Sequence, residues 1–198
     1  MAGVKILAGR HKGTLLKTLE GEATRPTTGR IAENLFNLIA HHRWDSQALL
    51  WSNQTVLDIC AGSGRLGLES YSRGAKSVVF LEKNPDAVKI IQQNIAKISA
   101  VPSLKTYCHD ATKSFMFPKS ISAFSLVFCD APYHSEIFTK AMTWILQQNI
   151  LAEGALIIHE DHHNTPAVSL PGLHLALEKQ YGITMLRFYG FSRSNPVI

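Results

Sequence analysis

The stretch that decides the fold reads Leu57-Asp58-Ile59-Cys60-Ala61-Gly62-Ser63-Gly64-Arg65-Leu66-Gly67. A short apolar run is followed by a glycine-rich turn and by the beginning of a helical pattern, which is typical of a strand, a tight turn and a helix. Glycine lets the backbone approach a ligand closely, and the amides at a helix N-terminus favour an acceptor or an anion. The stretch therefore predicts a ligand-binding turn at the end of a strand.

Strand patterns and helix patterns alternate on both sides of this turn. The predicted strands are Thr55–Ile59, Ser77–Leu81, Leu104–Tyr107, Phe124–Asp130 and Ala155–His159, and the predicted helices are Leu66–Ser72, Pro85–Ile98 and Ser135–Asn149. Near the end of the chain, His174–Tyr181 and Thr184–Tyr189 flank Gly182 and predict an antiparallel hairpin. The pattern predicts an α/β domain over 51–198, with a mainly parallel seven-stranded sheet and helices on both faces.

The first part of the chain, 1–50, has a more basic pattern. Residues Val4 to Leu19 alternate apolar and basic side chains and predict a short β-hairpin, and a helix is predicted from Thr27 or Thr28 to about His42. Up to residue 30 the acidic residues Glu20 and Glu22 are outnumbered by basic ones, namely Lys5, Arg10, Lys12, Lys17, Arg25 and Arg30. This excess indicates either a polyanionic partner or a solvated basic face.

The composition is that of an ordinary globular protein, with 45% hydrophobic and 18% charged residues and a net charge of +5. No apolar stretch is long enough for a membrane span, and the N-terminus lacks a signal-peptide pattern. The three cysteines are scattered and odd in number, which favours reduced thiols over disulfides or a cysteine-based zinc site. We therefore expect a cytoplasmic protein with no membrane partner and no metal, and a monomer is favoured.

Acidic residues follow successive predicted strands, at positions Asp58, Glu82, Asp110 and Asp130. Ligands of such sheets bind beyond the carboxyl ends of the strands, so these side chains are expected to converge. Gly62, Gly64 and Gly67 match the dinucleotide pattern GxGxxG, with Glu82 placed to hold ribose hydroxyls, which makes NAD one candidate cofactor. Asp58 would repel a pyrophosphate but attract an ammonium group. This favours S-adenosylmethionine, which has an ammonium group and no phosphate, with Asp110 accepting a hydrogen bond from the adenine amine.

A second motif, Asp130-Ala131-Pro132-Tyr133, ends the predicted strand Phe124–Asp130. A carboxylate and a turn carbonyl can accept hydrogen bonds from an exocyclic NH2 group, and a tyrosine ring can stack on the ring that carries it. The same residues would also make an ordinary turn with a surface tyrosine. Together with the glycine turn, the motif predicts a site for a planar amine.

These two motifs occur together with three further segments, Ile6-Leu7-Ala8-Gly9-Arg10-His11-Lys12-Gly13, Arg25-Pro26-Thr27-Thr28-Gly29-Arg30 and Ser72-Arg73-Gly74-Ala75. With all of them in place, the chain resembles, over nearly its whole length, the bacterial enzymes that methylate the exocyclic amine of one guanine in 16S ribosomal RNA. Three positions depart from that family's usual pattern: Ala131 replaces the first of two prolines, Gly29 an aspartate and Ala32 an arginine.

The resemblance implies a Rossmann-like class I methyltransferase that uses S-adenosylmethionine and acts on 16S ribosomal RNA or the small ribosomal subunit. Cofactor-binding residues are then expected to be Asp58, Ala61, Gly62, Ser63, Gly64, Glu82, Lys83, Asp110 and Ala111. The catalytic group is expected to be Asp130, Ala131, Pro132 and Tyr133. The RNA-binding residues are expected to be Arg10, Lys12, Arg25, Thr27, Thr28 and Arg30, within an RNA-binding appendage over 1–50.

Other functions are compatible with parts of this pattern. His159, Glu160 and His163 match HExxH, the zinc-protease signature, but that chemistry requires a helix and the motif follows a strand pattern. The amine-binding motif also suits methylation of DNA adenine or of a protein glutamine. The departures at Gly29, Ala32 and Ala131 would suit a non-catalytic RNA-binding module, and the glycine pattern would suit an NAD-dependent oxidoreductase.

Overall fold

The computed structural model describes residues 3–19, 27–44, 49–98 and 102–193. The strands are β1 (Gly3–Lys5), β2 (Leu15–Lys17), β3 (Thr55–Ile59), β4 (Ser77–Glu82), β5 (Leu104–Cys108), β6 (Phe124–Asp130), β7 (Leu151–His162), β8 (Leu173–Tyr181) and β9 (Thr184–Phe191). The helices are α1 (Thr27–His41), α2 (Arg65–Arg73), α3 (Pro85–Ile98) and α4 (Ile137–Gln147), with a short 3-10 helix at Trp51–Asn53. None of the described helices is both long and apolar enough to cross a membrane.

The main sheet has seven strands in the order β5-β4-β3-β6-β7-β9-β8. The neighbours from β5 to β7 pair in parallel, and β9 pairs antiparallel with both β7 and β8. The predicted fold class is therefore confirmed, including the hairpin that closes the sheet. Because the parallel strands end together, β3 brings the glycine turn to the same edge as the ends of β4 and β6.

Several elements differ from their predicted bounds, and strand β7 differs most. It was expected over Ala155–His159 but runs from Leu151 to His162, because Leu151 pairs with Phe124 of β6 at one end and His162 pairs with Thr184 of β9 at the other. Helix α4 was expected over Ser135–Asn149 but spans Ile137–Gln147, since Glu136 before it has φ −82° and ψ 8° and Asn149 after it has a positive φ of 54°, both outside the helical region.

The core lies on both faces of the sheet. On one face, α1, α2 and α3 cover strand residues such as Phe128, and Phe36 of α1 is fully buried there. On the other face, α4 covers the strand residues that alternate with these along the sequence, including Cys129. Side chains that alternate between two apolar layers are what a sheet covered on both faces requires.

The N-terminal hairpin, β1 and β2, packs against this domain through buried polar groups. The Glu69 carboxylate of α2 accepts hydrogen bonds from the backbone amides of Leu7 and Ala8, at 2.7 and 3.1 Å. Gly9, with φ 82°, lies so close to α2 that an added Cβ would stand 1.9 Å from the Ser72 carbonyl oxygen. A side chain at position 9 is therefore incompatible with this packing.

Candidate active site

The glycine turn, residues 60–64, joins β3 to α2 at the carboxyl edge of the sheet. Positive φ angles at Cys60, Gly62 and Gly64 (58°, 54° and 79°) make the chain reverse direction within a few residues. The Glu82 carboxylate at the end of β4 supports the turn, because one oxygen accepts from the Gly62 amide at 2.9 Å. Its other oxygen accepts from the Asn84 amide at 2.8 Å. Each carboxylate oxygen can accept a second hydrogen bond, so Glu82 keeps capacity for a ligand hydroxyl.

Asp58 lies directly beneath the turn and is only 1% exposed. One carboxylate oxygen accepts from the Gly67 amide in the first turn of α2, at 2.9 Å. Burial raises the pKa of Asp58 well above its ordinary value; the Gly67 hydrogen bond opposes this shift, and the charges of Asp130 and Glu82 add to it. Carboxylates that raise one another's pKa favour a positively charged ligand group between them. The electrostatics of the site therefore suit an ammonium group, as the sequence predicted.

A narrow cleft runs from the glycine turn toward the end of β5. Its lining consists of Cys60, Leu81, Lys83, His109, Asp110, Ala111 and Ile137. Asp110 has one oxygen bound by the amide and hydroxyl of Thr112, at 2.9 and 2.8 Å, and these bonds lower its pKa. An apolar lining with an ionised carboxylate at the rim suits a flat ring that bears an amino group, and the cleft, at about 10 Å³, has to widen to admit one.

The cleft brings together three predicted residues, Lys83, Asp110 and Ala111, with four that the sequence analysis did not select. Leu81 and His109 could have been found, because each immediately precedes a predicted acidic residue at a strand end. Ile137 could not have been found, because it lies at the start of α4, and strands β5 and β6 come between β4 and that helix.

The Asp130 turn, Asp130–Tyr133, follows β6 beside the glycine turn. Asp130 is exposed, Ala131 is buried, and Pro132 is exposed. Tyr133 is half-buried, and its hydroxyl is 3.2 Å from a Glu160 carboxylate oxygen and 2.6 Å from the Thr184 hydroxyl. These contacts fix the orientation of the tyrosine ring, and burial raises the pKa of Tyr133.

Glu160 is therefore a residue of this site that the sequence analysis placed in a different motif. It lies directly opposite Asp130 in the pairing of β6 with β7. Its neighbour in the HExxH pattern, His159, is on the opposite face of the strand and stacks on Phe138 at 3.9 Å. The motif was expected in a loop after the strand, but its first four residues, His159 to His162, lie on β7 itself. Their side chains therefore alternate between the two faces of the strand and do not form the helical zinc site. No group of three potential ligand residues that could hold a metal occurs in the described parts of the chain.

Of the predicted RNA-binding residues, Arg10 and Lys12 lie away from the cleft. Arg10 and Lys12 are exposed in the loop between β1 and β2, and the Arg10 guanidinium lies 4.5 Å from the centre of the Tyr71 ring near the end of α2. Since α2 has nine residues, this loop is separated from the glycine turn by about 13 Å of helix. Arg30 is exposed near the start of α1. Thr27 and Thr28 begin that helix, but their side chains and the whole of Arg25 lie outside the described residues.

The chain is similar to known proteins both in sequence and in fold. The family model described as conserved hypothetical protein 95 matches residues 4–190. A Haemophilus influenzae protein named ribosomal RNA small subunit methyltransferase D is 31% identical over 94% of this chain and 93% of its own length. The crystal structure of a proposed methylase of the same organism has a TM-score of 0.77 at 27% identity, over 96% of this chain and 99% of that one. The fold is also shared, at 15% identity and a TM-score of 0.59, by a Salinibacter ruber RNA methyltransferase in complex with S-adenosyl-L-homocysteine, over 87% of this chain and 97% of that one.

Proposed function

Since the chain belongs to the family of small-subunit ribosomal RNA methyltransferases of type D, we propose that it methylates a guanine of 16S ribosomal RNA at the exocyclic N2, with S-adenosylmethionine as the donor. That it is a ribosomal RNA methyltransferase follows from the family; the base, the atom and the donor are the proposal. The observation that carries it is the Asp130 turn, which has a carboxylate and a turn carbonyl beside a fixed tyrosine ring, next to an apolar cleft with the Asp110 carboxylate at its rim.

The residues around the glycine turn fit the donor. Asp58 and the backbone of residues 61–64 would hold its amino acid part, where neighbouring carboxylates favour an ammonium group. Glu82, with Lys83 beside it, would hold the ribose hydroxyls, and Asp110 with Ala111 would hold the adenine in the apolar cleft. When bound, S-adenosylmethionine supplies a methyl group on a sulfonium, which an amine lone pair can attack.

The Asp130 turn would prepare the amine for this attack. The guanine amine is a weak nucleophile because its lone pair is delocalised into the ring. Asp130 and the Ala131 carbonyl would accept its two N–H bonds, orient the lone pair and stabilise the positive charge that develops on nitrogen. Tyr133 would stack on the base once it has been turned out of the RNA. Pro132 would keep the turn narrow, since its ring fixes φ.

We further propose that residues 1–50 form the RNA-binding part. Arg10, Lys12 and Arg30, together with Arg25 and the threonines at positions 27 and 28, would contact phosphates and set the register of the RNA. The packing of the hairpin against α2 through Glu69 supports this role, because it fixes the distance between the basic loop and the glycine turn. A fixed distance allows the loop to contact phosphates at a defined separation from the target base.

The proposal can be tested with radiolabelled S-adenosylmethionine and small ribosomal subunits from a strain that lacks the endogenous methyltransferase, with naked 16S RNA in parallel. Nucleoside analysis should find the label as N2-methylguanosine at a single position. Label in adenine or in protein would refute the choice of base. Intact donor binding without transfer to either substrate would refute the choice of RNA.

A further inference from the structure

Three histidine rings pack against one another in a row beside Tyr133, with tilts of 43° and 32° between neighbouring rings. We call them the histidine cluster: His134, His162 and His163. The ring centres of His134 and His162 are 4.8 Å apart, and those of His162 and His163 are 4.5 Å apart. The His162 ring meets the Tyr133 ring edge-on at 6.0 Å. His134 is exposed and the other two are half-buried, so the surface is open to a ligand.

The cluster is held in place by a buried carboxylate. Asp161 is 2% exposed, and one of its oxygens accepts from the backbone amides of His134 and His162, at 3.0 and 2.7 Å. Two of the rings are also fixed, because Nδ1 of His162 accepts from the Asn164 amide and Nδ1 of His134 is 3.1 Å from the Thr165 hydroxyl.

This arrangement has structural costs. His134 has a positive φ of 58°, and a carboxylate is buried to support its backbone. A left-handed conformation in a residue other than glycine is uncommon, and such outliers concentrate where a binding site requires them. Together with the fixed rings, this indicates a prearranged binding surface.

The charges nearby favour a neutral aromatic ligand over a phosphate. Asp130 and Glu160 lie opposite each other on β6 and β7 next to the cluster, and Arg65 offsets part of their charge; two carboxylates against one guanidinium still disfavour an anion. Partial burial and the neighbouring histidines lower the pKa of His162, so its ring is neutral at physiological pH. Aromatic rings next to a base-binding tyrosine are what proteins use to stack unpaired nucleotides.

We propose that the histidine cluster stacks against the RNA base next to the target guanine, and so helps to select and hold the strand that leads into the active site. The inference rests on the proposed function, because it assumes that Tyr133 receives the target base. It assigns a role to a segment whose HExxH pattern had suggested zinc chemistry.

The test uses His162→Ala and His162→Phe in methylation assays on a 16S RNA fragment that the unaltered protein methylates. His162→Ala should raise KM for the RNA about tenfold while kcat stays nearly constant, because a stacked base contributes mainly to binding. His162→Phe is the matched control: it keeps an aromatic ring but not the imidazole nitrogens, and it should restore KM. If the KM effect of His162→Ala came only from the lost hydrogen bond to Asn164, KM would stay raised in His162→Phe as well.

A second arm changes the RNA and leaves the protein unaltered. An abasic nucleotide on one side of the target should raise KM about tenfold, and on that substrate His162→Ala should have no further effect, since the partner ring is already missing. Equal KM values for intact and abasic RNA on both sides, or additive losses, would overturn the inference. If the unaltered protein methylates no guanine in the intact fragment, the proposed function itself fails, which is a distinct result.

Discussion

Asn94 of α3 connects the N-terminal hairpin to the glycine turn, and its removal tests whether these parts act as one unit. The side chain is fully buried. Its oxygen accepts from the Lys17 amide at 2.8 Å, and its nitrogen donates to the Lys17 carbonyl at 2.9 Å and to the Ser63 carbonyl at 3.0 Å. One amide thus binds the end of β2 and the predicted donor-binding turn.

The cost of losing this amide can be worked out from its contacts. Asn94→Ala leaves one N–H and two carbonyls without a partner in a buried site, at about 1 kcal/mol for each hydrogen bond. We therefore expect a loss of about 3 kcal/mol in the free energy of unfolding. Gln93→Ala is the matched control, because Gln93 is the adjacent residue of α3 and contacts the same strand residue only through an exposed bond to the Lys17 ammonium, 2.8 Å long. Its effect should stay within about 0.5 kcal/mol.

Urea unfolding of the two variants measures the difference, and calorimetric titration with S-adenosylmethionine shows whether the glycine turn is affected. Asn94→Ala should weaken donor binding, because Ser63 loses the group that holds its carbonyl, whereas Gln93→Ala should leave it unchanged. A loss of less than about 1 kcal/mol for Asn94→Ala would refute the assignment of three stabilising hydrogen bonds. Weakened donor binding in both variants would refute the specific link to Ser63.

Three further perturbations test separate parts of the molecule. Asp130→Ala should keep S-adenosylmethionine binding but reduce methyl transfer by about a hundredfold or more, because a group that stabilises the developing charge is lost; parallel loss of binding in calorimetry would contradict its role. Replacing Arg10 and Lys12 by alanine should weaken RNA binding and lower its salt dependence, and an unchanged salt slope in filter binding would speak against phosphate contacts by this loop. Burial lowers the pKa of His159 to about 4, so the unfolded chain binds a proton near pH 6.5 and the folded chain only near pH 4. Stability should therefore be lost as pH falls from 6.5 toward 4, by up to about 3 kcal/mol, and His159→Phe should lack this part of the loss in unfolding experiments.

Sequence patterns predicted the central strands and the long helix well, since hydrophobic periodicity follows directly from burial. The bounds of Thr55–Ile59, Phe124–Asp130 and Pro85–Ile98 agree with the structure. The extension of β7 to His162 was missed, because residues 160–162 are polar and their strand conformation comes from pairing with β9. Pairing of this kind depends on a strand more than twenty residues further along, which local periodicity does not register.

Sequence patterns predicted where the residues of the candidate site lie along the strands, but not which contacts they make. Residues at strand ends, such as Asp58 and Asp110, could be placed at one edge of the sheet from the topology alone. What these side chains bind within the protein could not be predicted: Asp58 holds the Gly67 amide, and Tyr133 is anchored by Glu160 and Thr184. The contacts of Tyr133 join residues 27 and 51 positions apart, and the contact of Asp58 forms because the glycine turn brings α2 back over the end of β3, so both require the packed fold.

The alanine at position 131 shows how packing can replace a local restraint. A proline there would fix φ, and its absence costs about 1 kcal/mol of order in the turn. In this chain Ala131 is buried against the core, the Tyr133 hydroxyl is hydrogen-bonded to Glu160 of β7 and Thr184 of β9, and the His134 amide is bound by Asp161. Each of these hydrogen bonds contributes about 1 kcal/mol, so together they offset the missing proline restraint. The order of the Asp130 turn therefore depends on β7 and β9, and the same two strands also position the histidine cluster beside it.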